Sequence, residues 1–141
     1  MRGYLLDTNI ISEVRKKNPE PRVTDWMEAT DESLLHLSVL TLGEIRRGAA
    51  QLPQDKQRTQ LETWLEVDLQ ARFARRILPI DAGVADRWGW ICAEAKRKGM
   101  TLPVIDGLLA ATALHHNLTI VSRNVKDFVN TQVPVLNPWE A

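Results

Sequence analysis

The sequence predicts an α/β fold: a mostly parallel sheet of about five short strands flanked by helices. Two observations carry this. Brief apolar runs such as "YLL", "ILPI" and "LTIVS" recur along the chain, and nearly continuous apolar strands are what a sheet buried on both faces requires. Between them lie longer segments with apolar residues at helical spacing, so strands and helices alternate as in parallel α/β architectures. The 141 residues suit one domain, 1–141, with no repeat, low-complexity tract or linker.

Taken in order, "YLL" (Tyr4–Leu6) reads as the first strand, and Ile10, Ile11 and Val14 begin a helix that ends before the Pro-rich "KKNPEP". "RVTDWMEA" is a second short helix and "LLHLSVL" a second strand, broken only by His36. In "TLGEIRRGAAQLP", Leu42, Ile45, Ala49 and Leu52 share one helical face, and Pro53 ends it. Residues 54–76 form a charged amphipathic helix carrying Leu61, Trp64, Leu65 and Phe73. "ILPI" is the third strand. Asp81 then caps a helix built on Val84, Trp88 and Ile91, closed by "KRKG" with Gly99 just past its end. "IDGLLAATALHH" is apolar nearly all round, hence a buried helix, and "LTIVS" is the fourth strand. The prolines of "VPVLNPW" confine that segment to an edge strand.

Composition excludes several classes. The chain has 18 Lys plus Arg and 18 Asp plus Glu, so there is no global electrostatic footprint for coating nucleic acid. No run reaches the length of a membrane span, and the first residues lack a signal-peptide layout, so a cytoplasmic protein is expected. The one cysteine, Cys92, permits no disulfide or thiolate zinc site and is expected in the core. His36, His115 and His116 show no zinc-ligand spacing, and no Walker, dinucleotide or nucleophile-elbow motif is present. Trp64 and Trp88 read as packing residues, Trp90 and Trp139 as candidates for a partner surface.

The acids are the informative feature. Ligands of open parallel sheets bind beyond the carboxyl ends of the strands. Asp7 follows the first strand, Glu44 lies early in the helix after the second, Asp106 opens the buried helix, and Asn124 and Asp127 follow "LTIVS". If they converge, their like charges require a counter-ion, and oxygen donors without thiols suit Mg²⁺ or Mn²⁺. Each acid also has a plainer reading. Asp7 and Asp106 fit helix N-caps, Thr41–Glu44 fits a capping box, and Asp127 fits a turn. Among the basic residues, Arg46 and Arg47 near Glu44, and Arg123 beside Asn124, are placed to position a phosphodiester. A site that phosphorylates Asp7 is disfavoured, because Asn9 stands where a second aspartate would be needed. The remaining rival is a non-catalytic partner-binding module whose acids are caps.

Four segments, "LLDTNIISEV", "LTLGEIRRG", "DGLLAATALHHNLTIVSRNVKDF" and "VPVLNPW", together resemble PIN-domain nucleases, above all the VapC/FitB-like toxins of bacterial toxin–antitoxin pairs. The resemblance spans essentially the whole chain. It implies a PIN-like three-layer fold and a metal-dependent endoribonuclease using Mg²⁺ or Mn²⁺. It further implies a homodimer, inhibited by an antitoxin whose tail enters the active-site groove, and RNA targets of the tRNA or ribosomal class. Promoter DNA is bound only through the antitoxin. By the same resemblance Asp7 and Asp106 are metal ligands, and Glu44 holds the attacking water. Asn124 stands where many members have a fourth aspartate, a change that weakens binding of a second cation, with Asp127 nearby to supply part of the missing charge.

Overall fold

The computed structural model describes residues 2–140. Its sheet has five strands in the order β3-β2-β1-β4-β5, comprising β1 (Tyr4–Leu6), β2 (Leu35–Ser38), β3 (Ile77–Leu78), β4 (Thr119–Val121) and β5 (Val135–Leu136). Every pairing is parallel, with Leu6 opposite Val121 and Ser38 opposite Leu78. Successive strand residues point to opposite faces, and the core divides accordingly. Leu6, Leu35, Leu37 and Val121 pack with α1 (Thr8–Val14), α2 (Pro21–Ala29) and α3 (Val39–Ala50) on one side. Leu5 and Ile120 pack with α6 (Ala82–Arg97) and α7 (Val104–His115) on the other. Two buried faces explain why the strands read as unbroken apolar runs. The Pro-flanked β5 is an edge strand, as its sequence requires.

The helical segment expected over residues 54–76 is shorter and irregular. It runs as α4 (Lys56–Thr63), a π-helical turn (Trp64–Leu69) and α5 (Gln70–Arg72). Leu61, Leu65, Leu69 and Phe73 recur at every fourth position, and all pack into the first core. An α-helix overshoots a full turn by ~40° at each such step. The wider π turn keeps the row aligned with the sheet.

Two helix starts differ from the sequence reading, and both bear on the acids. The second strand ends at Ser38, whose side chain accepts from the Leu40 N–H at 3.0 Å, so α3 begins at Val39. The capping box on Thr41 does not form; Thr41 is buried inside the first turn, and Glu44 lies a full turn into the helix. Likewise α7 begins at Val104 after Pro103. Asp106 is a first-turn residue and not its cap. Asp7, by contrast, does cap α1, accepting from the Thr8 N–H at 2.7 Å.

Candidate active site

Parallel strand order reverses between β1 and β4, and that is where the acids meet. The ladder continues past the strand ends, with the Asp7 N–H donating to the Val121 carbonyl at 2.9 Å. Asp7 and Ser122 therefore stand side by side at the carboxyl edge. The fully buried Ser122 hydroxyl donates to Asp7 Oδ2 at 2.8 Å. Its oxygen also accepts from the Asn124 N–H at 3.0 Å and from Asn9 Nδ2 at 3.2 Å. Asn9 reaches Asp7 Oδ2 as well, at 3.4 Å, and its carbonyl accepts from the Arg123 N–H at 3.3 Å. One polar network thus fixes the Asp7 carboxylate and the loop after β4 together.

Glu44 enters from α3. The Thr8 hydroxyl donates to Glu44 Oε1 at 2.5 Å, a charge-assisted bond that ties α1 to α3. Asp106 comes from the first turn of α7, where the positive helix end favours a carboxylate. Its oxygens accept no hydrogen bond among the described residues, which removes the capping explanation for it. Together Asp7, Glu44, Asp106 and Asn124 line an open cleft of about 420 Å³ with Thr8, Ser12, Lys16, Arg123 and Trp139.

The electrostatics are those of crowded acids. Burial pushes the Asp7 carboxyl up, against the lowering effect of the Ser122 and Thr8 hydrogen bonds, and the charges of Glu44 and Asp127 raise it further. Asp106 is also raised, first by burial and then by the charges of Asp127, Asp7 and Glu44. Asp127 itself is exposed in the 3-10 turn Val125–Phe128 and does not line the cleft. It adds negative charge from the rim. Asn124 occupies the lining position.

The donors fit a hard cation. They are carboxylates, two amides and hydroxyls, with no His or Cys in the lining. Among the described residues no three His, Cys, Asp or Glu side chains are gathered closely enough to ligate one ion alone. A small divalent cation that keeps several of its waters needs only one or two carboxylates directly.

A PIN domain match covers residues 4–133. The chain belongs to the PIN-domain family. It is 39% identical over 135 residues to the toxin FitB of Neisseria gonorrhoeae, covering 96% of this chain and 97% of that one. A VapC ribonuclease of Sinorhizobium fredii is 35% identical over 136 residues, with 96% and 97% covered. The crystal structure of FitAcB from Neisseria gonorrhoeae superposes with a TM-score of 0.92 at 38% identity, covering 98% of this chain and 99% of that one. Within the family the chain therefore groups with the VapC/FitB-like toxins.

Not every sequence candidate reaches the cleft of this PIN domain. Arg46 is ion-paired with Glu62 at 3.0 Å and Glu66 at 2.5 Å, facing α4 and the π turn. Arg123 does reach it. Trp139, expected on a partner surface, is only 8% exposed and packs in the first core while its ring carries the Arg123 guanidinium at 5.2 Å. Trp90 does stay exposed, and Cys92 is half-buried and not in the core. Ser122, Thr8 and Asn9 were missed as site residues. The signal for the last two was the polar "TN" directly after a strand-ending aspartate.

Proposed function

We propose that this chain is the toxin of a toxin–antitoxin pair, a metal-dependent endoribonuclease that hydrolyses structured RNA of the tRNA or ribosomal class. The observation that carries the reading is the convergence of Asp7, Glu44 and Asp106, from three elements far apart in sequence, on one cleft where burial and mutual repulsion raise two of their carboxyls. Asp7 and Asp106 would hold a hydrated Mg²⁺ or Mn²⁺, with the Asn124 carbonyl as a weaker donor. Such an ion acidifies a bound water and offsets phosphate charge. Glu44, oriented by the Thr8 hydroxyl, holds the attacking water and takes its proton. Asp127 contributes charge at longer range, and Arg123 engages the phosphodiester backbone. With Asn124 in the fourth place, one cation is held firmly and a second only transiently.

An apolar groove of about 300 Å³, floored by Ile45, Leu61 and Trp64, adjoins the cleft and shares Thr8, Ser12, Lys16 and Glu44 with it. An antitoxin segment lying there would block the acids. The relatives support such a partner: one solved structure is FitAB bound to a DNA fragment, with a TM-score of 0.90 at 38% identity. On this reading the present chain is a homodimer in the cytoplasm and meets promoter DNA only through its antitoxin. No helix among the described residues is long and apolar enough to cross a membrane.

The test is incubation of total bacterial RNA with the antitoxin-free protein in Mg²⁺, Mn²⁺ or EDTA. Discrete fragments that require metal are expected. Folded protein that neither binds metal nor cuts RNA would leave a partner-binding module in its place.

A further inference from the structure

We propose that Trp139 and Asn137 are positioning residues that hold the Arg123 guanidinium over the acid cleft as a preformed anchor for an RNA phosphate. This rests on the ribonuclease reading and adds to it the device that fixes the substrate strand. Arg123 is exposed, lines the cleft, and forms no salt bridge among the described residues. The acids on the same cleft repel the RNA backbone, so a cation at its edge has a defined task. An exposed arginine ordinarily loses rotamer freedom when it binds. Here that freedom is already restricted.

One contact restrains the guanidinium, and two more fix the backbone that carries it. The guanidinium carbon lies 5.2 Å from the centroid of the Trp139 ring, within the range of a cation–π contact. Asn137 Nδ2 donates to the Arg123 carbonyl at 3.4 Å, and Asn137 Oδ1 accepts from the Trp139 N–H at 2.9 Å. From the other side, Asn9 Oδ1 accepts the Arg123 N–H at 3.3 Å. Asn9 is the residue that also reaches Asp7, so cation and catalytic carboxylate share one scaffold. Trp139 is itself buried, reaching into the first core from the short turn Pro138–Glu140. A guanidinium held over a ring still has edge N–H groups free to bind phosphate oxygens in a fork, a geometry that the lysine ammonium lacks.

Glu13 feels the Arg123 charge, but its oxygens already have other partners. Its oxygens accept from Lys16 Nζ at 2.9 Å and the Glu20 N–H at 3.0 Å, and these contacts, with the charges of Lys16 and Arg123, hold its carboxyl below the ordinary range. Arg123 is thus not committed to an internal ion pair.

The test is a double-mutant cycle with Trp139→Phe and Arg123→Ala, each checked for an unchanged urea midpoint. Cleavage in Mg²⁺ gives KM and kcat; RNA binding in EDTA is measured with Asp7→Asn added to every member. Trp139→Phe weakens the stack but keeps an aromatic in the core. It is expected to raise KM roughly threefold to tenfold with kcat nearly constant. The effect should vanish when Arg123 is already alanine, and Arg123→Lys should behave as a stack-deficient variant. Equal effects of Trp139→Phe with and without Arg123 would overturn the proposal, since Trp139 would then act through packing alone. An unchanged KM in Arg123→Ala would overturn it too. If the wild type cuts no RNA, the ribonuclease reading fails by itself; coupled loss of RNA binding in the Asp7→Asn series would still support the anchor.

Discussion

Ser122→Ala is the substitution whose consequence follows most directly from the geometry. The hydroxyl is fully buried and donates to Asp7 Oδ2 at 2.8 Å while accepting from Asn124 and Asn9. A hydrogen bond to a charged partner is worth about 1.5–3 kcal/mol. The other two losses are smaller, because Asn124 is exposed and regains water, and Asn9 Nδ2 keeps its contact with Asp7. The expected cost is therefore about 2 kcal/mol of stability, read from the urea midpoint at constant slope. The carboxylate also loses the bond that fixes its direction. Removing a group that orients a metal ligand lowers metal affinity or activity roughly tenfold to a hundredfold. Mn²⁺ titration followed by RNA cleavage measures both. An unchanged midpoint together with unchanged Mn²⁺ affinity would refute the claim that Ser122 sets the geometry of Asp7.

Other outcomes follow from the same contacts. Because the native Asp7 carboxyl is raised, its contribution to stability is complete below the ordinary value of 3.8 and is lost as pH rises through the raised value; in EDTA at neutral pH, Asp7→Asn should melt above the wild type, and the difference should shrink on acidification. A Cβ at Gly107 would lie 3.1 Å from Trp88 Nε1, a buried group with no hydrogen-bond partner. Gly107→Ala gains about 1 kcal/mol of helix propensity but incurs about 1–3 kcal/mol of overpacking, so stability should hold or fall by up to about 2 kcal/mol while displacement of the adjacent Asp106 lowers cleavage roughly tenfold or more. Arg46→Ala should leave KM for RNA unchanged in steady-state cleavage, since Glu62 and Glu66 already occupy that guanidinium.

Much of this architecture was legible in the chain because parallel strands buried on both faces leave an unmistakable apolar signature. The five strands and the acids at their carboxyl ends follow from it. Boundaries were harder where one residue type serves two purposes. Thr41 and Glu44 match a capping box, yet Ser38 captures the helix start three residues earlier, because its hydroxyl meets the Leu40 N–H as the strand ends. The π turn was invisible to a 3.6-residue period, though the four-residue spacing from Leu61 to Phe73 was its trace. Arg46 looked like a substrate contact by its nearness to Glu44 in sequence; neighbours two apart on a helix face different ways. Ser122 and Trp139 could not be assigned from sequence, since their partners Asp7 and Arg123 are set by the pairing of β1 with β4 and by the return of the last segment.

The most direct measurement is the anomalous density of crystals soaked in Mn²⁺, wild type beside Asp7→Asn. The account predicts a Mn²⁺ peak between the Asp7 and Asp106 carboxylates in the wild type, absent or much weaker in the variant. A saturating soak with no peak in that cleft, or a peak that ignores the loss of Asp7, would contradict it.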